Sequence, residues 1–356
     1  MHTIGPSTPR STETLSSLPP AKENPLICKP TEPTCIEVYP SYGTEERVVI
    51  RGRVLEKKDV SEAKPGDSSW TNLIRNLSFL ESDEVKRTPV KIEFAGQTIE
   101  TRTDRDGLFE VALSGVAGLA PGYHDVKVSM AGSADYAASE ATGKIVVQCL
   151  DDASFGVISD IDDTLQFSYA ANKLKAAQTL LLGNETTLKP VPGMAALYQA
   201  LEACDGQQDG DISYLSGSPM NYAGRIQRFM QAQGFPEGAI QLKNMGFRSG
   251  EDHPLSQSDY KLEHLRDMFT TYPEKSFFLF GDSGEEDPEI YRQIAQEFPT
   301  QVRGIFIHQV TDEDPQAERF TGVHLIRSGA DAAQVLHQQG ILDTQALSRI
   351  QKASRP

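Results

Sequence analysis

Apolar and polar positions change rhythm near residue 150. Before it, apolar residues come in short runs: Val48 to Val54, Val90 to Phe94, Leu108 to Val111, His124 to Val128 and Lys144 to Val147. Val90-Lys91-Ile92-Glu93-Phe94 alternates at every step, which predicts a half-buried strand. Turn residues such as Thr103-Asp104-Arg105-Asp106-Gly107 separate the runs. Regularly spaced short strands with glycine turns predict a β-sandwich. From Phe155 onward, strand-like runs at 155–159, 211–215, 276–281, 302–307 and 323–326 alternate with helix-like stretches. That alternation predicts a parallel α/β sheet. Helices are expected from Met194 after Pro192-Gly193, from Asn221, from Ser258, from Asp287-Pro288 with proline at the first helical position, and from Ala330 to a stop at Gly340. Two segments are less regular: Asp59 to Glu84 reads as a long loop or short helix, and Tyr169 to Leu182 as a helix that either covers a site or packs. The expected organisation is a flexible, proline-rich leader over 1–40, a β-sandwich domain over 41–150, an α/β domain over 151–342 and a C-terminal tail over 343–356.

Composition narrows the partners. The chain has 356 residues, enough for two domains, and a formal net charge of −16. That charge disfavours generic attraction to nucleic acid, so no nucleic-acid partner is expected, and it weakens docking on anionic lipid. No apolar run reaches the roughly 18 residues of a membrane-spanning helix, and Met1 to Pro20 lacks the basic-then-apolar pattern of a secretory signal. Cys28, Cys35, Cys149 and Cys204 have no zinc-pair spacing. The expected location is the cytoplasm, with peripheral membrane contact if the substrate is a lipid.

The chemistry concentrates at predicted strand ends. Phe155-Gly156-Val157-Ile158-Ser159 runs into Asp160-Ile161-Asp162-Asp163-Thr164, a D-x-D-x-T pattern. Strand 211–215 ends at Ser216 in Tyr214-Leu215-Ser216-Gly217-Ser218-Pro219, and strand 276–281 ends at Asp282 in Gly281-Asp282-Ser283-Gly284-Glu285-Glu286-Asp287. Open parallel sheets bind ligands at the carboxyl ends of their strands. Each piece alone reads as a turn or a cap; together they place carboxylates and a hydroxyl at one edge of one sheet. Two ionised carboxylates about 4 Å apart repel by roughly 4 kcal/mol at an effective dielectric near 20. A cation among them offsets this, and an aspartate so placed can attack phosphorus. The pattern therefore predicts a metal-dependent phosphatase. A calcium loop over 160–164 fails, because Leu165 stands where glycine is required.

The order D-x-D-x-T, strand-end serine, helical lysine, then G-D-x-x-x-x-D resembles the haloacid dehalogenase superfamily of phosphotransferases. The longer strings Ser159 to Thr164, Tyr214 to Pro219 and Gly281 to Tyr291 resemble the catalytic domain of phosphatidate phosphatases related to a yeast actin-patch protein. Val38 to Gly43, followed by Arg51-Gly52-Arg53-Val54, resembles the start of bacterial members. The resemblance implies a Rossmann-like sheet of haloacid dehalogenase type with a small cap. It implies Asp160 as the nucleophile of an aspartyl-phosphate mechanism, Asp162 as acid and base, Ser216 as a phosphoryl donor, and Thr164 as a support of the nucleophile loop. Lys261 is the implied counter-charge, with Lys243, Arg225 and Arg248 as alternatives. Mg2+ is the implied cofactor, held by Asp160, the Asp162 carbonyl and Asp282, with Asp287 binding through water or orienting Asp282. The expected reaction is hydrolysis of phosphatidate to diacylglycerol and phosphate. The alternatives are hydrolysis of soluble phosphomonoesters, or a binding role for the sandwich with the α/β domain as scaffold.

Overall fold

The computed structural model describes residues 32–57, 84–116, 119–148, 155–166, 189–204, 210–243 and 256–355. The helix expected over Tyr169–Leu182, nearly all of the Asp59–Glu84 loop and most of the expected leader lie outside these residues.

The first half is built from strands β1 (Thr34–Tyr39), β2 (Ser41–Gly43), β3 (Arg47–Glu56), β4 (Pro89–Phe94), β5 (Gln97–Arg102), β6 (Leu108–Ser114), β7 (Gly122–Met130) and β8 (Ser139–Val147). They form one eight-stranded sheet in the order β1-β3-β2-β8-β7-β4-β5, with β6 paired to β3. All pairs are antiparallel except β2 with β8. The expected sandwich is thus a single hydrogen-bonded sheet, because three-residue β2 bridges β3 to β8. Alternation works as read: Val90, Ile92 and Phe94 of β4 are buried while Lys91 is exposed. These residues join Ile36, Val48, Ile50, Phe109, Val126 and Ile145 in one core, so the sheet closes over its own apolar face. β1 lies inside the stretch expected to be a leader; Pro33 and Pro40 bracket it rather than dissolve it.

The second half is a six-stranded sheet, every pair parallel: β9 (Phe155–Ser159), β10 (Ile212–Pro219), β11 (Ala239–Lys243), β12 (Ser276–Asp282), β13 (Val302–His308) and β14 (His324–Ile326), in the order β11-β10-β9-β12-β13-β14. Successive strand residues feed opposite faces. Val157, Tyr214, Phe278, Phe280 and Phe306 pack with helices α1 (Met194–Glu202), α2 (Ala223–Gln233), α5 (Gly329–Gln338) and α6 (Thr344–Ala353). Ile158, Leu215, Phe277, Leu279 and Ile305 pack with α3 (Gln257–Thr271) and α4 (Asp287–Glu297). The result is a three-layer α/β/α body with β9 near its centre. The expected C-terminal tail is helix α6, whose Ala346, Leu347 and Ile350 reach the core.

The halves share their cores. Tyr39 packs in the cluster with α1 and α2, and Tyr42 in the cluster with α3 and α4. The Tyr42 hydroxyl donates to Asp267 at 2.7 Å and that of Tyr272 to the Gly43 carbonyl at 2.9 Å. The Ile240 N–H donates to the Pro40 carbonyl at 2.9 Å, covering the free edge of β11. Among the described residues no helix is long and apolar enough to cross a membrane.

Candidate active site

β10, β9 and β12 lie side by side and end at the same edge. Asp160 is the first residue past β9, and its N–H donates to the Phe280 carbonyl at 2.8 Å, so strand pairing fixes its backbone. Behind it, the Ser159 hydroxyl donates to the Asp160 carbonyl at 2.6 Å. Ser159 also meets the Tyr198 hydroxyl at 2.7 Å, so Tyr198 is the donor there. The chain then turns sharply, with Leu165 N–H donating to the Ile161 carbonyl. Asp163 takes φ 55° in this turn, a left-handed conformation that aspartate tolerates better than most residues. His308 Nδ1, at the end of β13, is 2.5 Å from the Asp163 carbonyl and fastens the turn.

Asp282 ends β12, and Asp287 opens α4 and folds back toward it. The Asp282 N–H donates to Asp287 Oδ2 at 3.2 Å. Glycine at 281 permits this: a Cβ there would lie 2.5 Å from the same oxygen. Lys261 comes from the first turns of α3 and is 1% exposed. Its Nζ lies 2.5 Å from Asp287 Oδ1, 2.8 Å from Asp160 Oδ1 and 3.3 Å from Glu285 Oε2. Lys261 thus reaches the carboxylates; Arg248, an alternative for this place, lies outside the described residues.

The other sequence-predicted residues divide. Ser216 is buried, and its hydroxyl donates to Asp162 Oδ2 at 3.0 Å; Ser218 donates to the same oxygen at 2.5 Å and Gln166 to Oδ1 at 3.2 Å. The Asp162 carboxylate therefore turns toward the C-terminal half of β10 and stands outside the aspartate cluster. Thr164 is buried, but its hydroxyl has no hydrogen-bond partner among the described residues, and the turn is held by the Ile161 and Asp163 carbonyls instead.

Burial dominates the electrostatics. It raises the Asp160 carboxyl well above the usual range; Lys261 opposes the rise, and Asp287, Glu285 and Asp282 add to it. Asp282 is also raised, by burial first and then by Asp287 and Glu285. Burial pulls the Lys261 ammonium down, but Asp160, Asp287 and Glu285 outweigh it and hold it well above the lysine range. Both Asp160 oxygens and Asp282 Oδ2 lack a hydrogen bond among the described residues, the Lys261–Asp160 contact lying off the hydrogen-bonding direction. Ligand atoms of Asp160, Asp282 and Asp287 lie within 4.8 Å of one another. Buried, unsatisfied carboxylate oxygens at this spacing fit a hard divalent cation, whose charge would offset the cost of ionising them. Asp287 already serves Lys261 and the Asp282 backbone, so its fit is that of an orienting group.

Residues 155–309 match the family described as the catalytic domain of phosphatidate phosphatase APP1. This segment belongs to the APP1 catalytic-domain family. The APP1-type segment runs from the first residue of β9 to just past β13 and contains every residue of the cluster. The chain is 29% identical over 152 residues to Phosphatidate phosphatase APP1 of Saccharomyces cerevisiae, covering 43% of this chain and 25% of that protein. It is 25% identical over 170 residues to an uncharacterized protein of Schizosaccharomyces pombe, covering 47% of this chain and 27% of that one. The chain thus spans about a quarter of the length of these relatives. A solved bacterial immunoglobulin-like domain from the M. primoryensis ice-binding adhesin covers 33% of this chain and 97% of its own, with TM-score 0.19 and 18% identity.

The APP1-type site includes residues that sequence reasoning passed over. Ser218 lies two positions beyond Ser216, a spacing that puts both on one side of a strand. Gln257, opening α3, donates to Glu285 Oε2 and lies across Gly217, where a Cβ would come within 2.6 Å of it. Arg319 donates to the carbonyls of Glu285 at 2.6 Å and Ser283 at 3.3 Å, pinning the loop between Asp282 and Asp287. Gln257 and Arg319 lie far along the chain from the residues they serve, and no local spacing marks them.

Proposed function

We propose that this chain is a magnesium-dependent phosphatase of haloacid dehalogenase type, acting on phosphatidate through an aspartyl-phosphate. The supporting observation is Asp160: a buried carboxylate at the end of a central parallel strand, 2.8 Å from Lys261 and without hydrogen bonds to its oxygens among the described residues. An oxygen that donates no lone pair to a hydrogen bond is free to attack.

Asp160 attacks phosphorus, and the ester P–O bond breaks as the Asp160 O–P bond forms. Asp162 gives a proton to the departing alkoxide. The resulting Asp162 carboxylate takes a proton from water, whose oxygen attacks the phosphoryl group and restores Asp160. Ester and water thereby become alcohol and phosphate. The Ser216 and Ser218 hydroxyls that bind Asp162 here turn to phosphoryl oxygens when substrate enters. Lys261 holds Asp160 and Asp287 in place and offsets their charge. A magnesium ion held by Asp160 and Asp282, oriented by Asp287, would supply the remaining positive charge.

The lipid assignment rests on the APP1-type match and fits peripheral contact of a cytoplasmic protein with membranes. The net charge of −16 favours a second reading, a phosphatase of soluble phosphomonoesters. Phosphate release from phosphatidate in mixed micelles, compared with release from sugar phosphates and nucleotides, separates them. We expect phosphatidate to be preferred by more than about tenfold, or 1.4 kcal/mol in transition-state binding. Equal rates would reject the lipid reading and keep the phosphatase one.

A further inference from the structure

The N-terminal strings Val38–Gly43 and Arg51–Val54 take no part in the catalytic cluster. Tyr39 and Pro40 from the first, and Arg51 and Gly52 from the second, line a cleft of about 540 Å³ between the two halves. Leu108 and Phe109 of β6 complete that wall. Glycine at 52 makes room for the Phe109 ring, since a Cβ would lie 2.3 Å from it.

The opposite wall adjoins the catalytic residues at three points. Leu242 is the register partner of Ser216 across β10 and β11, one strand spacing of about 4.8 Å away. Met220 directly follows Ser216-Gly217-Ser218-Pro219, the last residues of β10. Tyr260 directly precedes Lys261 on α3. Much of the polar lining is committed to protein partners. Arg51 bonds Glu110 and Gln241, Arg102 donates to the Arg87 carbonyl, and Asp104 accepts from the N–H groups of Asp106 and Leu108. The apolar surface open to a ligand is that of Leu108, Phe109, Met220, Ile240 and Leu242, beside the polar side chains of Gln227, Tyr260 and Glu263, in a volume usual for small-molecule sites.

We propose that this cleft receives an acyl chain of the phosphate ester whose phosphoryl group reaches Asp160, so that the strand-rich half selects the substrate. The inference rests on the phosphatidate reading above. It gives the N-terminal half a role in substrate choice, beyond its packing.

The test compares kcat/KM for dioctanoyl and dibutyryl phosphatidate, both below their aggregation concentrations, in the full chain and in two variants. Leu108→Asp puts a charge in the N-terminal wall; Gln227→Trp fills the cleft from α2. The ratio between the two substrates does not depend on the fraction of protein that is folded. The unaltered chain should prefer the longer substrate by at least about tenfold, because further methylenes leave water. Both variants should bring that ratio near one. A ratio retained in both variants, or no chain-length preference in the unaltered protein, overturns the cleft assignment. Release of phosphate from p-nitrophenyl phosphate with none from either phosphatidate overturns the lipid reading itself, and the cleft assignment with it.

Discussion

At Asp160 the fold holds a carboxylate in a setting that penalises its charge, and Lys261 is its nearest compensation. Removing Asp160's charge should therefore end turnover without harming the fold. We expect Asp160→Asn to release phosphate at least about a thousandfold more slowly. In chelator the same variant should melt no lower than the parent, since a buried charge has been removed. Removing Lys261 acts in the opposite sense. Lys261→Met leaves Asp160, Asp287 and Glu285 without their shared cation, and should lower unfolding free energy by about 3–5 kcal/mol in chelator, read by urea titration. His308 offers a pH test. Burial holds its imidazole below the ordinary value, against the opposing pull of the Asp163 carbonyl. The stability this contributes is complete above the unfolded pKa of about 6.5 and is lost as pH falls through the lower folded value. Urea midpoints at pH 7 and pH 5 should thus differ more in the parent than in His308→Gln. An equal difference would remove His308 from that account. Asp160, Lys261 and Asp282 were legible in the sequence because each stands at a strand end or first helical turn that hydrophobic runs announce, and Ser216 because it follows the Tyr214-Leu215 pair of the β10 run. The direction of the Asp162 carboxylate was not legible, because it depends on Ser218, Ser216 and Gln166 converging from separate segments.

Among the elements, the loop from Asp282 to Asp287 carries the most constraint. Gly281 lets Asp287 fold back onto β12, and Arg319 holds the loop from outside through the Ser283 and Glu285 carbonyls. Gly281→Ala should displace Asp287 and cost roughly a hundredfold in turnover, the usual effect of a misplacement near 1 Å. A far-UV spectrum and melting temperature unchanged beside that loss would show that the loop, and not the fold, had moved. Turnover at the parent rate would contradict the packing argument. β9, β12 and β13 were plain in the sequence as apolar runs buried on both faces. β11 escaped notice because Ala239-Ile240-Gln241-Leu242-Lys243 is short and has two polar residues, and its outer edge is satisfied by the Pro40 carbonyl, remote in sequence. α6 escaped because a polar segment near the chain end reads as a tail unless the apolar stripe of Ala346, Leu347 and Ile350 has a visible partner. That partner is the core shared with α1, α2 and α5.

For the whole molecule, the pattern change near residue 150 marks two architectures but not two independent bodies. Tyr39 and Tyr42 enter the cores of the α/β half, and hydrogen bonds from Tyr42, Tyr272 and Ile240 cross the seam. The continuous hydrogen bonding of the first half into one sheet was not legible, because three-residue β2 has too little pattern to announce a bridge between β3 and β8. The seam places the cleft one strand away from Ser216, at Leu242, which is what makes the strand-rich half part of the enzyme as proposed. The central claim is that Asp160 becomes phosphorylated during turnover. The most direct measurement quenches the protein during turnover of phosphatidate with Mg2+, reduces it with borohydride and maps the peptides by mass spectrometry. The account predicts homoserine at position 160, absent when substrate is omitted. Turnover with an unmodified Asp160, or reduction at another carboxylate, would contradict it.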